Sequence, residues 1–432
     1  MSGHERRPLV PRLRFPEFRD AGEWITVELG KLSRLLTERV GSTTCTPYTI
    51  ISGVGLISQE EKLGRTIAGN SLKNYLVLQY NDFAYNKSAT KAYPQGFIAL
   101  YTGDERAAVP NSIFTCFRVN QNQAIPTFLD ALFTSNLHGK WLRARIAVGA
   151  RAHGSLQVSD DDLMTTPVPL PNGTSSLEEQ QKIADSLSSL DDLIAAETQK
   201  LDTLKTHKKG LMQQLFPREG ETVPRLRFPE FRDAREWKES NLGELTSIVR
   251  GGSPRPIDDF LTSAADGLNW LKIGDVDRDA KYIISTEEKV RAEALSKTRV
   301  IQPGDFILSN SMSFGRPYIS TIQTCIHDGW IAVTKIPASL NSDFLYYALL
   351  SERSQKYFFD QAAGSGVQNL NKDIIKTLVL GFPEVKEQQC IADCLSFLDD
   401  FINAQTQKIE ALKTQKKGLM QQLFPTLDEV DA

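Results

Sequence analysis

Apolar residues recur at alternating steps of four and three residues along two stretches of the chain, which is the spacing of a coiled-coil seam. The two series are Ile183, Leu187, Leu190, Ile194, Leu201, Leu204, Leu211 and Leu215, then Ile391, Leu395, Leu398, Ile402, Ile409, Leu412, Leu419 and Leu423. Each series ends just before a proline, Pro217 or Pro425, which stops a helix. The pattern predicts two helices of about 38 residues, each about 57 Å long.

Polar residues interrupt both seams, at Glu197 and Lys208 in the first and at Gln405 and Lys416 in the second. Such residues usually fix the register and the partner of a coiled coil. An apolar seam must be buried, and each series is the closest match of the other. We therefore expect the helices to pair within one chain rather than between chains, and the long return segment between them permits an antiparallel arrangement.

The same two stretches are nearly identical in sequence. Residues 179–217 read EQQKIADSLSSLDDLIAAETQKLDTLKTHKKGLMQQLFP, and residues 387–425 read EQQCIADCLSFLDDFINAQTQKIEALKTQKKGLMQQLFP. A second repeat, PRLRFPEFRDA, occupies 11–21 and 224–234, and each copy is soon followed by Trp and then by Leu-Gly. The predicted divisions are a lead-in (1–23), a first variable block (24–176), a central helix (177–217), a connector (218–236), a second variable block (237–384), a distal helix (385–425) and a tail (426–432).

The two variable blocks share a plan although their sequences agree poorly. Each has a turn leading into a short apolar strand, then a helix-like segment, a glycine-rich loop and a proline-containing exit. The segments are NDFAYNK (81–87), 127–146, 147–157 and PVPLP (167–171) in the first block, and GDFILSN (304–310), 343–362, 362–372 and LGFP (380–383) in the second. The sequence predicts an α+β protein with pseudo-twofold symmetry, in which two long antiparallel coiled-coil helices separate two mixed α/β domains.

Length and composition are those of an ordinary soluble protein. The 432 residues are too many for one hydrophobic core and favour two or three domains. No apolar run approaches a membrane span, and the N-terminus lacks the apolar region of a secretion signal, so we expect no membrane association. The five cysteines are odd in number and lack a CxxC pair, which favours a reduced, cytoplasmic chain. Cys390 and Cys394 have the spacing of a metal pair, but Lys182 and Ser186 replace them in the first repeat, which favours ordinary helix residues.

Motifs of self-sufficient enzymes are missing from the sequence. It contains no P-loop GxxxxGK[ST], no HExxH, no GxSxG and neither the Asn-Pro-Pro-aromatic nor the Asp-Pro-Pro-aromatic tetrapeptide of amino-methyltransferases. None of the five histidines has the spacing of a metal site or a catalytic triad. The sequence therefore favours a recognition module with no catalytic residue, metal or cofactor of its own.

Polar residues in and around the glycine-rich loops and turns are the candidates for contacting DNA. Arg and Lys neutralise phosphates and read guanine, Asn and Gln pair with adenine, and neighbouring Gly and Pro let a backbone approach closely. The candidates are Lys87, Lys91, Arg145, Arg151, His153, Arg250, Arg255, Asn310, Ser311, Arg316, Gln368, Asn369 and Lys372. The net charge of −3 neither demands nor excludes DNA, and each of these residues is also compatible with a solvated loop.

The stretch KKGLMQQLFP is identical at 208–217 and 416–425, including positions off the seam. Packing tolerates conservative exchanges, so identity at charged and amide positions indicates that something reads both copies in the same way. We interpret the stretch as a helix end presented to two identical partners. The predicted contacts are Lys209, Met212, Gln213, Gln214, Lys417, Met420, Gln421 and Gln422.

The PRLRFPEFRDA copies read as extended lead-ins that bracket a helix end against the next domain. Their arginines have the chemistry to touch a phosphate, but the repetition favours a structural or partner-facing role. These arginines are Arg12, Arg14, Arg225 and Arg227.

Together these features resemble the specificity subunit of type I restriction–modification systems. The resemblance rests on Trp…Leu-Gly opening a variable block, EQQxIADxLxxLDD opening a long helix and KKGLMQQLFP closing it. The segment GGSPRPIDDFLT…NWLKIGDV (251–276) is similar to the start of many target recognition domains of that family. The resemblance implies two target recognition domains, each reading one half of a split, asymmetric site in double-stranded DNA, held apart by the helices.

The resemblance also implies a set of partners. Two modification subunits, which carry S-adenosylmethionine and methylate adenine, would dock on the helices. Restriction subunits, motor–nucleases that use ATP and Mg, would join in systems that cleave DNA. The specificity subunit itself carries no known catalytic residues in this family, in agreement with the missing motifs.

Two other hypotheses stay open at this point. A coiled-coil adaptor with two protein-binding domains would show the same repeats without reading DNA. A self-contained nuclease or methyltransferase with an unrecognised site is disfavoured by the missing motifs. The sequence also leaves open the target bases and the presence of a restriction subunit, because a methylation-only system would have the same pattern.

Overall fold

The computed structural model describes residues 9–51, 53–143, 145, 156, 158–309, 315–362 and 370–425. The chain forms two compact units. The first contains Met1–Thr198 and Lys408–Ala432, and the second contains Gln199–Gln407. Each unit consists of one variable block together with a part of each long helix, so the first unit combines two segments of the chain and the second is one continuous segment.

The described residues form helices of very different lengths. The α-helices are α1 Leu29–Leu32, α2 Gln59–Leu63, α3 Pro126–Thr134, α4 Leu137–Arg143, α5 Asp160–Met164, α6 Ser176–Leu215, α7 Leu242–Leu245, α8 Ser342–Leu350, α9 Glu352–Ala362, α10 Lys372–Lys376 and α11 Val385–Leu423. Helices α6 and α11 have 40 and 39 residues and confirm the two helices predicted from the seams.

The strands are short and fall in the variable blocks. In the first block they are β1 Ile25–Glu28, β2 Ser33–Leu35, β3 Thr46–Ile51, β4 Gly55–Ser58, β5 Leu76–Leu78, β6 Asp82–Asn86, β7 Phe97–Leu100, β8 Ala107–Val109, β9 Phe114–Val119 and β10 Pro167–Leu170. In the second they are β11 Lys238–Asn241, β12 Ser247–Arg250, β13 Leu268–Leu271, β14 Tyr282–Ile283, β15 Glu288–Val290, β16 Arg299–Ile301, β17 Phe306–Ser309, β18 Pro317–Ser320, β19 Thr324–Ile326, β20 Trp330–Thr334 and β21 Val379–Phe382.

Seam residues near the ends of α6 and α11 are buried in cores that both helices share with a domain, whereas several others along the seam are half-buried. In the first unit Leu187 of α6 shares a hydrophobic core with Leu423 of α11. In the second unit Leu215 of α6 shares a core with Leu395 of α11. In each unit the start of one helix therefore lies beside the end of the other, which confirms antiparallel pairing within one chain.

The two units repeat one sheet topology, except that the second has an additional strand, β14, at the edge of its larger sheet. The first has sheets ordered β2-β9-β6-β7 and β4-β3-β8-β5, and the second has β12-β20-β17-β18-β14 and β15-β13-β19-β16. Each also has an antiparallel pair that joins the start of the block to its end, β1 with β10 and β11 with β21. Parallel pairs occupy corresponding places, β3 with β8 and β13 with β19. The repeated order confirms one mixed α/β fold used twice.

Strands β6 and β17, which begin within the NDF and GDF sequences, lie inside their sheets. Alternate residues of a strand face opposite sides of a sheet. On β6, Phe83 faces the core shared with the long helices, whereas Ala84 faces the core of the second sheet. On β17, Phe306 and Ile307 divide in the same way. Both faces of these strands are buried, which explains their nearly continuous apolar sequences.

The helix-like segments contain a break that the hydrophobic pattern does not show. The segment predicted as one helix at 127–146 forms α3 and α4, separated at Asn136, whose φ is 64°. The segment at 343–362 forms α8 and α9, separated at Ser351, whose backbone is extended. The Ser351 hydroxyl donates to the Ala348 carbonyl at 2.7 Å and so caps the end of α8. A serine that bonds its own backbone, or an asparagine in the left-handed conformation, ends a helix without changing the apolar periodicity.

Candidate nucleic-acid interface and helix-end surfaces

An arginine of each lead-in is buried against the glutamate that opens the EQQ motif. Arg14 donates from Nε and Nη2 to the two carboxylate oxygens of Glu179, both at 2.7 Å, and Arg227 makes the same fork with Glu387 at 2.7 Å. None of the four side chains is more than 7% exposed. The hydrogen bond to Glu387 raises the pKa of Arg227 above its ordinary value. Arg14 and Arg227 are therefore structural residues and do not face a phosphate.

The first glutamine of each EQQ motif is buried at the joint between long helix and domain. Gln180 accepts a hydrogen bond from the Ile125 amide at 2.9 Å, and Gln388 accepts one from the Asn341 amide at 2.8 Å. Each glutamine also donates to a backbone carbonyl just before α3 or α8. A buried side-chain amide needs hydrogen-bond partners for both its oxygen and its nitrogen, so the fold by itself accounts for this glutamine in both copies.

The first lysine of each KKGLMQQLFP stretch pairs across the two long helices. The Nζ atom of Lys416 lies 2.5 and 2.6 Å from the carboxylate oxygens of Asp191, and Lys208 pairs with Asp399. Tyr347 also donates to Asp399 at 2.7 Å. Both aspartates belong to the LDD of the EQQ stretch, so the polar seam positions predicted at Lys208 and Lys416 are charge pairs that favour one register.

The lead-ins meet the helix ends through their backbones. The amide of Leu13 donates to the carbonyl of Gln422 at 2.9 Å, and the amide of Leu226 donates to the carbonyl of Gln214 at 2.9 Å. In the first unit the contacted helix is α11, which is distant in sequence from the lead-in. In the second unit the contacted helix is α6, which directly precedes the lead-in. The same contact thus forms once between distant segments and once between adjacent segments.

The remaining predicted partner contacts divide into packed and exposed side chains. Met420 is 9% exposed and lies in the core of the first unit, and Met212 packs partly against the core of the second. Met420 therefore packs within the chain, and its contact with a partner stays a prediction. The exposed residues are Lys209, Gln213, Gln214, Lys417, Gln421 and Gln422. Gln213 donates to Glu352 at 3.0 Å, and the other five side chains make no hydrogen bond or ion pair to a described residue.

The candidates for DNA contact in the first unit have different surroundings. Lys91 is exposed, and Lys87 pairs with Asp160 at 3.4 Å. The guanidinium carbon of Arg145 lies 3.1 Å from the ring centroid of Trp141, and both residues line an open cavity of about 500 Å³. Among the described members of this set, Lys91 and Arg145 are thus the accessible ones. Two further candidates lie outside the described residues, Arg151 and His153.

In the second unit, Arg250 and Arg255 converge on Asp328, a residue that the sequence did not single out. Nη2 of Arg255 lies 3.3 Å from Oδ2 of Asp328, and Nε of Arg250 donates to the Asp328 carbonyl at 3.1 Å. Partial burial acts to raise the pKa of Asp328, but the hydrogen bond from Ser253 and the charges of neighbouring basic residues hold it below its ordinary value. Asp328 is therefore ionised at neutral pH and carries the charge that holds Arg255.

The other described candidates of the second unit, Arg316 and Lys372, do not join this cluster. Arg316 is half-buried and donates to the Asp279 carbonyl at 3.2 Å, and Lys372 is exposed at the start of α10. The candidates that lie outside the described residues are Asn310, Ser311, Gln368 and Asn369. No sequence signal marks Asp328 or Ser253, because only the approach of two distant loops gives them a role.

In the described part of the chain, no group of three or more His, Cys, Asp or Glu side chains is placed to hold a metal ion. No helix in that part is long and apolar enough to cross a bilayer. Each of the five cysteines is a free thiol. His138 is fully buried, with Nε2 at 3.3 Å from the Gly96 carbonyl, and burial lowers its pKa to about 4. His138 is a neutral core residue.

Two copies of one α/β domain, joined to matching long helices through the same buried Arg–Glu pair, define a duplicated recognition protein. The family model described as "Type I restriction modification DNA specificity domain" matches residues 64–206 and 234–414, well over half of the chain. The chain belongs to this type I restriction–modification family and is a specificity subunit, which confirms the resemblance seen in the sequence.

Individual relatives agree with this assignment. The chain is 23% identical over 322 residues to the MjaVIII type I restriction enzyme specificity subunit of Methanocaldococcus jannaschii, covering 72% of each chain. Its fold is similar to a chain from a structure on complex assembly and conformational transition of the type I R-M system (TM-score 0.59, 19% identity, 95% and 98% coverage). It is also similar to the type I S subunit from M. genitalium (TM-score 0.54, 15% identity, 97% and 100% coverage).

Proposed function

We propose that each of the two domains reads one half of a bipartite, asymmetric sequence in double-stranded DNA, and that the long helices dock two adenine-methyltransferase subunits. Those subunits carry S-adenosylmethionine, and restriction subunits that use ATP and Mg join through them where DNA is cleaved. This chain supplies neither a catalytic residue nor a cofactor. It acts in the cytoplasm, where chromosomal DNA is accessible to it.

The domains support the first part of the proposal because they combine one scaffold with unlike surfaces. Sequence is read by side chains at base edges, so two readers of different bases need the same fold with different exposed groups. The first domain presents Lys91 and a stacked Arg145, whereas the second presents Arg250 and Arg255 around an aspartate. The DNA contacts named from the sequence stay predictions at the level of single residues.

The exposed residues at the helix ends are the main observation that supports docking of the methyltransferase subunits. Within each unit the fold accounts for the first lysine, the leucines and the phenylalanine of KKGLMQQLFP through packing or pairing. It leaves Lys209 and Gln214, and their counterparts Lys417 and Gln422, exposed and without a side-chain partner among the described residues. Two identical exposed surfaces on one chain suit two copies of one partner.

A glycine inside each surface adds to this argument. Gly210 and Gly418 lie within α6 and α11, where glycine weakens a helix by about 1 kcal/mol relative to alanine. A Cβ atom added to either glycine would have no contact within 4 Å, so packing inside the chain does not require a glycine at these positions. A partner backbone that approaches the helix closely would require a residue without a side chain. The repeated glycine therefore supports docking at both sites.

The test is to express the chain with its modification subunit and sequence the methylated adenines of the host DNA. We expect a new methylated motif made of two defined parts separated by an undefined spacer. Absence of any new bipartite motif would contradict the proposal. Exchange of 24–176 or 237–384 for the block of a relative should then change one half of the motif. A coiled-coil adaptor that does not read DNA would give no such change.

A further inference from the structure

Two loops of the second unit are locked together next to a pair of exposed arginines. One loop, residues 251–256, follows β12, and the other, 327–329, connects β19 to β20. A Cβ atom on Gly251 would lie 2.1 Å from the His327 carbonyl oxygen, and one on Gly252 would lie 2.5 Å from the Lys297 carbonyl oxygen. Only glycine fits at such distances, so the first loop has one position against its neighbours.

Asp328 connects the two loops through both of its carboxylate oxygens. Ser253 donates from Oγ to Oδ1 at 3.0 Å, and the Asp328 amide donates back to Ser253 Oγ at 3.2 Å. Oδ2 faces Nη2 of Arg255 at 3.3 Å. The carboxylate is thus held by Ser253 as well as by the arginine, and its side chain is 29% exposed.

The Arg255 side chain is largely exposed to solvent. Its side chain is 81% exposed, so the surrounding protein leaves most of the guanidinium accessible. A carboxylate next to an arginine reduces the charge available to a phosphate, which makes the pair a poor choice for neutralising a DNA backbone. The carboxylate also restricts the rotamers of Arg255, which favours a contact that needs a defined orientation of the guanidinium group. Reading the O6 and N7 edge of guanine is such a contact.

We propose that Arg255 reads a base edge, guanine by its chemistry, in the half-site of the second domain and that Asp328 is the positioning residue that orients it. The inference rests on the proposed function, since it assigns residues to the DNA reading of one domain. It adds an acidic residue, Asp328, which positions Arg255, to candidates that are basic, amide and hydroxyl residues.

The test compares methylated motifs from cells that express the modification subunit with the wild-type chain, Arg255→Gln, Asp328→Asn or the double variant. The Asp328→Asn change keeps an oxygen for the Ser253 hydrogen bond and removes the charge that holds Arg255. We expect both single variants to relax the same base position in one half-site, with discrimination falling about tenfold or more. The other half-site stays unchanged. Because Asp328 acts through Arg255, the double variant should resemble Arg255→Gln alone.

The outcomes separate this inference from the function on which it rests. If the wild-type chain gives no bipartite motif, the proposed function fails. If the wild-type motif forms but Arg255→Gln leaves both halves unchanged, the inference is wrong. A uniform loss of methylation without a change of bases would also overturn it, because that is the behaviour of a phosphate contact.

Folding effects are controlled within the same set of variants. Arg255 is exposed, so its replacement leaves the core intact and decides the question even if Asp328→Asn lowers stability. Arg299→Gln changes another exposed arginine of the same unit, one that donates to the neighbouring Thr298 carbonyl at 2.8 Å. It should preserve the full motif. Relaxation of the same base by Arg299→Gln would show that the effect is not specific to Arg255.

Discussion

Arg14 and Glu179 lie 165 positions apart and form a buried ion pair with two hydrogen bonds of 2.7 Å. Arg227 and Glu387, 160 positions apart, form the same pair in the second unit. Each pair joins a lead-in to the start of a long helix, and in the first unit Trp24 also donates from Nε1 to Glu179 at 3.3 Å. The two sequence repeats, PRLRF and EQQ, are thus the two sides of one structural joint.

Removal of Arg14 is expected to destabilise the first unit strongly. Arg14→Ala leaves the carboxylate of Glu179 buried without its counter-charge, which costs about 3–5 kcal/mol. Denaturant unfolding of the whole chain measures the loss. Arg12→Ala is the matched control, since Arg12 is exposed in the same repeat. If the two variants unfold alike, the buried pair contributes little to the stability of the joint.

A charge placed in the seam should separate the long helices. Leu187 is 2% exposed, so Leu187→Lys loses its packing and forces an ammonium group out of water. We expect a loss of about 3 kcal/mol or more, seen as a lower melting temperature. Leu193 on the same helix is 40% exposed and provides the control, since Leu193→Lys should have little effect. Equal melting of the two variants would contradict the seam assignment.

Alanine at the repeated glycines should have opposite effects on folding and on partner binding. Gly210→Ala and Gly418→Ala are each expected to stabilise the chain by about 1 kcal/mol, since the added methyl has open space in a helix. The same methyl would clash with a closely approaching partner and weaken binding of the modification subunit by about tenfold. Thermal unfolding and a binding assay measure the two effects.

The control for the glycine variants is Asn403→Ala, an exposed position of α11 where alanine also favours the helix. It should stabilise the chain without changing partner binding. If the glycine variants bind the modification subunit as tightly as the control does, no partner backbone approaches these helices closely.

His138 should make the first unit sensitive to mild acid. Its pKa is about 4 in the folded chain and 6.5 when solvated. The unfolded chain therefore binds one more proton between these values, so the contribution of His138 is complete above pH 6.5 and is lost as the pH falls toward 4. Between pH 7 and pH 5 the wild type should lose about 2 kcal/mol more than His138→Gln, which cannot titrate.

The comparison with His138→Gln is needed because a second group titrates in the same range. Burial raises the pKa of Asp130 to about 6, which affects stability in the opposite direction. Asp130 is present in both proteins, so its contribution cancels in the difference. Urea unfolding at pH 5 and pH 7 gives the measurement, and parallel pH dependence of both proteins would show that His138 does not titrate as described.

The spacing of apolar residues predicted the seams of the long helices but not the breaks within the shorter helical segments. The seam of α6 and α11 depends on residues three and four apart, so Leu187 and Leu395 could be placed in it directly. The breaks at Asn136 and Ser351 could not be seen, because both residues are polar positions within an unbroken apolar pattern. The burial of Met420 could not be seen for a related reason, since it depends on a domain that contacts the helix far from it in sequence.

By itself the sequence determined the duplication, the two long helices, the α+β class and the family, because repeats and apolar spacing are properties of neighbouring residues. Only the tertiary structure decided which of the preserved side chains serve the fold and which remain exposed. It paired Lys416 with Asp191 and left Lys417 exposed, and it brought Asp328 to Arg255. Ion pairs and shared carboxylates depend on distances between remote segments, and those distances exist only after the sheets and helices have packed.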